Sequence, residues 1–240
     1  MLRANSPNAA FKVIERGWVL DTEGARRPVI GSVTREESQF LYDCIIERGF
    51  TKVVETGIAR GISSLAITEA LSQTRGKLFG FDPCQTSEHG CAAVETIREF
   101  GFSDYFELHE LGSEVALPQL VEKGFQCDML FIDGIHRFLE RSMDFYYADR
   151  MLKIGGIVAF HDLWLPSMKK VLKMIKTFGS YRMIQTPSTR PNFKWKCRLL
   201  AGAILKRRPY CCWWPSGFAN LLVLEKTAQF NESVLWYRHF

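Results

Sequence analysis

Six residues of this chain have the types and spacing to do chemistry together: Glu55, Asp82, Asp133, His136, His161 and Asp162. Each stands where a short apolar run gives way to a loop. Lys52-Val53-Val54 ends on Glu55, and Lys77-Leu-Phe-Gly-Phe ends on Asp82-Pro83. Cys127-Asp-Met-Leu-Phe-Ile ends on Asp133-Gly-Ile-His136, and Ile157-Val-Ala-Phe ends on His161-Asp162. If the runs are neighbouring parallel strands, their ends form one rim, which is where ligands bind in open α/β sheets. Carboxylates on such a rim attract a cation and orient hydroxyls, and they repel phosphate. A histidine titrates near neutrality, so His136 is a candidate base for removing a hydroxyl proton. Asp133 is a candidate to orient it or to take the proton itself. The competing reading is that His136 and His161 only cap the helices behind them.

The loop after Glu55 reads Thr56-Gly57-Ile-Ala59-Arg-Gly61-Ile-Ser63-Ser64. Strand, glycine turn and helix make the first unit of a nucleotide-binding fold, because glycine lets the backbone approach a ligand and a helix start offers free N–H groups. The dinucleotide fingerprint G-x-G-x-x-G is broken here: its middle glycine is Ala59 and its last comes early. Glu55 is expected to face the space a pyrophosphate would occupy. Together these features predict a cationic ligand carrying a nucleoside, for which S-adenosylmethionine is the natural candidate. Glu55, Thr56, Gly57, Ala59, Gly61 and Ser63 are its expected contacts, with Asp82 on the ribose hydroxyls.

The elements that must position these residues follow from periodicity. Thr34-Arg-Glu-Glu37 is a capping sequence for a helix that runs to Arg48 and ends at Gly49. A helix follows the glycine loop; others are predicted over Glu88–Phe100, Val115–Lys123 and Ser167–Phe178, and one carrying Met143, Phe145, Tyr146 and Leu152. Further strands are expected at Tyr105–His109, Tyr181–Gln185 and Asn220–Glu225, and Lys153–Gly156 is expected as a tight turn. Cys127–Asp133 is nearly continuous in apolar residues, as a parallel strand buried on both faces should be. The alternation predicts an α/β fold with a doubly wound, mostly parallel, seven-stranded sheet. Residues 1–34 read as an N-terminal arm with a short helix near Ala10–Gly17, and 35–240 as the main domain.

Glu55-Thr-Gly-x-Ala-x-Gly61 with Ser63-Ser-Leu resembles motif I of the class I S-adenosylmethionine-dependent methyltransferases. Phe131-Ile-Asp-Gly-Ile-His136, a helix, and then Leu152-Lys-Ile-Gly-Gly-Ile-Val-Ala-Phe-His-Asp162 are similar to the macrocin and sugar O-methyltransferases, and more distantly to catechol O-methyltransferase. The resemblance runs from about Glu36 to Lys176. It implies that Ser113 lies near the adenine and that Asp133 sits beside the transferred methyl as base or metal ligand. It also implies a magnesium site completed after the fifth strand, here by His161 and Asp162. Magnesium prefers oxygen ligands, so His161 departs from that pattern.

Composition bounds the alternatives. The chain has 240 residues, 47% of them hydrophobic, enough for a full core. No apolar run approaches the ~20 residues of a membrane span, the first residues lack the apolar core of a secretory signal, and the seven cysteines include no C-x-x-C pair. A cytoplasmic protein fits these features. Between Asp162 and Glu225 stand twelve Lys or Arg and no acid, leaving 19 basic against 26 acidic residues elsewhere. Residues 187–218, which include Phe193-Lys-Trp-Lys-Cys-Arg198 and Lys206-Arg-Arg-Pro-Tyr-Cys-Cys-Trp-Trp214, are long for a plain connection and read as an insertion or lid. Apolar anchors beside cations suit an anionic, sugar or lipid-linked acceptor, or membrane contact through 194–214; a packed subdomain or homo-oligomer contact is the plainer alternative. Nucleic acid is a poor match, since no RNA-binding signature accompanies the charge. Two other classes stay open: an NAD-dependent oxidoreductase, and a non-catalytic binding or membrane-docking protein on a methyltransferase scaffold.

Overall fold

A computed structural model of the chain describes residues 7–163, 165–184, 186 and 220–229. In chain order its elements are α1 (Asn8–Arg16), β1 (Trp18–Leu20), β2 (Arg26–Pro28), α2 (Arg35–Arg48), β3 (Lys52–Thr56), α3 (Ile62–Thr74), β4 (Lys77–Phe81), α4 (Ala92–Glu99), β5 (Phe106–His109) and α5 (Ser113–Glu122). These are followed by β6 (Cys127–Ile132), α6 (Phe138–Met151), β7 (Leu152–Phe160), α7 (Pro166–Phe178), β8 (Tyr181–Ile184) and β9 (Leu222–Lys226). Seven strands form one sheet in the order β5-β4-β3-β6-β7-β9-β8, in which β9 alone runs antiparallel to its neighbours. The expected insertion at 187–218 lies outside the described residues. No described helix is long and apolar enough to cross a membrane.

Successive strand residues point to opposite faces, and the core divides accordingly. Val53, Met129, Phe131, Ile157 and Ala159 pack on the α1–α3 side. Val54, Leu130, Ile132, Val158 and Phe160 pack on the side of α5, α6 and α7. With both faces covered, β3, β6 and β7 expose their chemistry only at their carboxyl ends. The expected start of α2 is present: Thr34 Oγ1 accepts from Glu37 N at 3.2 Å, and the Glu37 carboxylate accepts from Thr34 N at 2.8 Å.

The short helix expected in the N-terminal arm is present as α1; the structure adds contacts to that arm and departs from expectation at two other places. Residues 7–34 are packed into the body: Glu69 accepts hydrogen bonds from Asn8 N and Ala9 N, at 3.1 and 3.0 Å. A hairpin of β1 and β2 turns around Asp21, whose Oδ1 takes the N–H groups of Glu23 and Ala25; three-residue strands leave no periodicity to read. Residues before Ala92 do not join α4, because Cys91 adopts a left-handed φ of 51° that interrupts a helix. Finally, α6 ends at Met151 and β7 begins at Leu152, which was expected on the helix, so the expected turn Lys153–Gly156 belongs to the strand, opposite a register irregularity between Cys127 and Met129.

Candidate active site

A cleft of about 390 Å³ opens at the carboxyl ends of β3, β4 and β6. Thr56, Gly57, Ala59, Asp82, Ser113, Asp133, His136 and Asp162 line it, together with Gly31, Cys84, Glu88, His89 and Ile135, which the sequence did not single out. Its size is in the range of small-molecule and cofactor sites. The floor is where two loops touch. Asp133 N donates to Thr56 O at 2.8 Å, and Gly57, at φ +81°, lies so close to Asp133 that an added Cβ would be 2.5 Å from its carbonyl oxygen.

Glu55 is not on this surface, and neither are Gly61 and Ser63. Alternation along β3 turns the Glu55 side chain toward α3, where it is fully buried and accepts hydrogen bonds from the Ser63 and Ser64 hydroxyls, the latter at 2.6 Å. Burial pushes its pKa up to about 8 against the effect of those serines, with Asp133 and Asp82 adding to the rise. The expected cation-facing carboxylate is thus a buried acid, held toward its protonated form, that fastens the first turn of α3 to β3. Gly61 and Ser63 instead border a cavity of about 50 Å³ beneath the Val29–Val33 segment.

Asp82 has the position Glu55 was expected to hold. Its Oδ2 accepts from the backbone N–H groups of Ile58 and Ala59, at 3.0 and 2.8 Å, and its Oδ1 accepts from Cys84 N at 2.8 Å. The N–H groups that a dinucleotide loop turns toward phosphate are here taken up by a carboxylate. Nearby, Gln85 Oε1 and His89 Nδ1 are buried without a partner among the described residues. Buried polar atoms of this kind are normally satisfied; of the two residues, His89 lines the cleft.

On the other wall, the two histidines are held very differently. His161 is 1% exposed. Its Nδ1 is 3.2 Å from Asp133 Oδ1, its Nε2 is 3.4 Å from Glu37 Oε2, and Asn220 Nδ2 lies 3.0 Å from the same Nε2. Burial alone would lower its pKa, but Asp133 and Glu37 outweigh it and hold it up at about 10. The expected metal ligand is therefore a buried ring beneath Asp133, with both nitrogens engaged by protein groups. His136 reaches the cleft. Its Nε2 is 3.2 Å from Asp162 Oδ2, its Nδ1 receives Arg141 Nη2, and burial followed by the Arg141 charge lowers its pKa. The cluster whose ligand atoms converge within 4.8 Å is Asp133, His136 and Asp162, not the expected set containing His161.

Two residues the sequence did not single out hold this wall together, and both belong to the buried face of α6. Arg141 is fully buried, and its Nη1 donates to the His161 carbonyl at 2.7 Å. Asp144 lies 3.4 Å from the Thr56 hydroxyl that donates to it; burial raises its pKa to about 6 against hydrogen bonds from Ser113 and Thr56. A reader of helical periodicity assigns Arg and Asp to the solvent side. The signal that could have found them is their spacing from Phe145 and Ala148, three and four residues apart along one face.

Comparison with known proteins agrees with this geometry. Residues 54–163, which carry every residue lining the cleft except Gly31, match the model of a family described as a methyltransferase domain. No curated protein matches the chain in sequence. Among solved structures, the cofactor-bound Rv0187 protein from MTB superposes with a TM-score of 0.64 at 14% identity, covering 94% of this chain and 92% of its own. The O-methyltransferase TomG from Streptomyces achromogenes, involved in tomaymycin synthesis and in complex with SAM, gives 0.63 at 16% identity, covering 95% and 92%. An O-methyltransferase from Bacillus cereus in complex with SAH gives 0.63 at 15%, covering 94% of each chain. The sheet is the Rossmann-like fold of the class I methyltransferases.

Proposed function

We propose that this chain transfers a methyl group from S-adenosylmethionine to an oxygen of its acceptor. The observation that carries the reading is Asp82. Its carboxylate stands in the cleft and consumes the Ile58 and Ala59 amides, which favours a nucleoside cation over a pyrophosphate. Thr56, Gly57, Ala59, Asp82, Ser113 and Asp133 would surround that cofactor, with His89 at its polar edge. When bound it supplies a methyl group on a positively charged sulfur, so most of the catalysis comes from positioning. Oxygen as the acceptor atom is supported by the descriptions of TomG and the Bacillus cereus protein as O-methyltransferases.

The proton of the acceptor hydroxyl passes to Asp133 as the new O–CH₃ bond forms and the S–CH₃ bond breaks. His136 was the expected base, but both its nitrogens are engaged. Arg141 can only donate, so Nδ1 is the acceptor of that bond and the ring proton sits on Nε2, toward Asp162. Asp133 is held at Oδ1 by His161, which leaves Oδ2 for the acceptor.

The acceptor class we favour is a sugar, glycolipid or secondary-metabolite hydroxyl on an anionic or amphipathic molecule. Ile135, Phe138 and Leu139 are exposed apolar side chains next to His136. Beyond them α7 turns Lys169, Lys170, Lys173 and Lys176 to solvent, a face suited to phosphate or to an anionic membrane surface. Calorimetric titration with S-adenosylmethionine, S-adenosylhomocysteine and NADH tests the cofactor. Micromolar binding of the adenosyl ligands alone is expected, followed by transfer of labelled methyl in a screen of hydroxylated, phosphorylated and lipid-linked acceptors. Preference for NADH would overturn the reading in favour of an oxidoreductase.

A further inference from the structure

The O-methyltransferase resemblance implies a hard divalent cation at Asp133, His161 and Asp162, and the ligand atoms of Asp133, His136 and Asp162 do converge within 4.8 Å. We infer that this rim works without a divalent cation, because Arg141 and His161 are built into the places from which a metal would be held. The inference rests on the methyltransferase reading of the cleft and specifies how its acceptor side is organised.

Arg141 decides the matter at His136. A metal-bound histidine donates its second ring N–H to an acceptor, which leaves the first nitrogen's lone pair for the ion. Here the partner of the second nitrogen is a guanidinium, which has donors and no acceptor. Nδ1 must therefore offer its lone pair to Arg141 Nη2, and Nε2 carries the proton, facing Asp162 Oδ2 at 3.2 Å. Ligation through Nε2 would demand an imidazolate, or the withdrawal of Arg141 from a pocket where it is fully buried. That pocket also gives it the His161 carbonyl at 2.7 Å and Met168 Sδ at 3.3 Å.

Of the remaining ligand atoms, Asp133 keeps only Oδ2 open to the cleft. The His161 ring sits between Asp133 Oδ1 and Glu37 Oε2, at 3.2 and 3.4 Å, where the resemblance would put a ligand pointing at the ion. Asp162 shares Oδ2 with His136 and Oδ1 with Asn220 Nδ2, the latter at 3.4 Å. Magnesium is commonly held through one or two carboxylates, with waters completing a near-ideal octahedron; here the carboxylates of Asp133 and Asp162 are already engaged by His161 and His136, beside the buried Arg141 guanidinium. On this account Arg141 is a positioning residue. It balances Asp133 and Asp162, as a metal would, and locks the tautomer of His136.

The test is a titration of the full chain with Mn²⁺, followed by electron paramagnetic resonance, beside long-range ¹H–¹⁵N spectra of the histidines. The wild type is expected to show no saturable Mn²⁺ site at submillimolar concentration. His136 is expected to carry its proton on Nε2, with shifts that Mg²⁺ does not move. Arg141→Met frees Nδ1 and is expected to gain Mn²⁺ affinity at least tenfold. Saturable wild-type binding that Asp162→Asn abolishes, or equal Mn²⁺ affinity in wild type and R141M, would overturn the inference. Should R141M fail to fold, the wild-type titration and spectra decide alone. S-adenosylhomocysteine binding, measured on the same sample, separates the two claims: its absence breaks the methyltransferase reading, whereas Mn²⁺ binding alongside it breaks only this one.

Discussion

The backbone N–H of Ala59 donates to Asp82 Oδ2 at 2.8 Å, so the acid that ends β4 holds the loop that ends β3. The same oxygen takes Ile58 N, and Cys84 N occupies Oδ1. Asp82→Ala removes four charge-assisted bonds, the fourth from Gln85 Nε2 at 3.1 Å, and leaves buried amides without an acceptor, a loss of about 1–3 kcal/mol per unsatisfied group. Thermal denaturation should show a clear drop in stability, and calorimetry should show S-adenosylmethionine affinity falling tenfold or more. Asp82→Asn, which keeps one carbonyl oxygen, should fall between them. Wild-type affinity in Asp82→Ala would remove the carboxylate from the cofactor site.

Gly57 and Asp133 meet backbone to backbone. An alanine at 57 would place its Cβ 2.5 Å from Asp133 O, at a φ of +81° that side chains rarely adopt. Neither loop can yield without moving Asp133 or the Thr56 carbonyl that receives its N–H. Gly57→Ala should cost on the order of 1–3 kcal/mol and abolish adenosyl-ligand binding in protein that still folds. Ala59 has the milder left-handed φ of 47°, so Ala59→Gly should be neutral or slightly stabilising, by up to about 1 kcal/mol. Matching melting curves for Gly57→Ala and wild type would show that the two loops are not in register as described.

Most of the sheet was legible in the sequence because parallel strands buried on both faces read as apolar runs with acids at one end. Asp82, Asp133, His136 and Asp162 reach the cleft as their positions after those runs imply. What the runs could not convey is which way a strand residue turns. Glu55 follows Val54 by one position, and that single step sends its side chain under α3 rather than toward the ligand. The roles of the two histidines were likewise illegible, since they depend on Arg141 and Glu37, which lie on other elements and are buried against the usual expectation for their charge. The hairpin of β1 and β2 escaped notice because its order comes from Asp21 and from packing, not from pattern.

Lys226, at the far end of β9, offers a contrast in which charge serves only the fold. It is 1% exposed, lies 3.3 Å from Asp149 Oδ1, and donates to the carbonyls of Asp149 and Leu152. Tyr181 OH donates to the same carboxylate at 2.6 Å. Lys226→Met strands a buried acid and should destabilise by about 3–5 kcal/mol, seen as an early denaturant midpoint. The double variant Lys226→Met/Asp149→Leu should recover much of that loss. Because this pair sits at the start of β7, away from the rim, adenosyl-ligand affinity of the folded fraction should match wild type in both.

Glu55 gives the chain a pH dependence whose sign can be worked out. Its pKa rises from the ordinary 4.5 to about 8 on folding, chiefly by burial. The native state keeps a proton that the unfolded chain releases, so native protein binds more protons between those values and stability falls as pH rises. This contribution is complete below about 4.5 and gone above about 8, and it declines between them by up to about 1.4 kcal/mol per pH unit. Glu55→Gln mimics the protonated acid and cannot ionise. Its melting temperature should equal that of wild type near pH 5 and exceed it increasingly toward pH 9, by about 2–4 °C for each kcal/mol. Adenosyl-ligand affinity at pH 7 should change little. A charged Glu55 facing the sulfonium predicts the reverse, with affinity lost in Glu55→Gln and the two stability profiles parallel, so one pair of pH series separates a buried fastener of α3 from a cofactor contact.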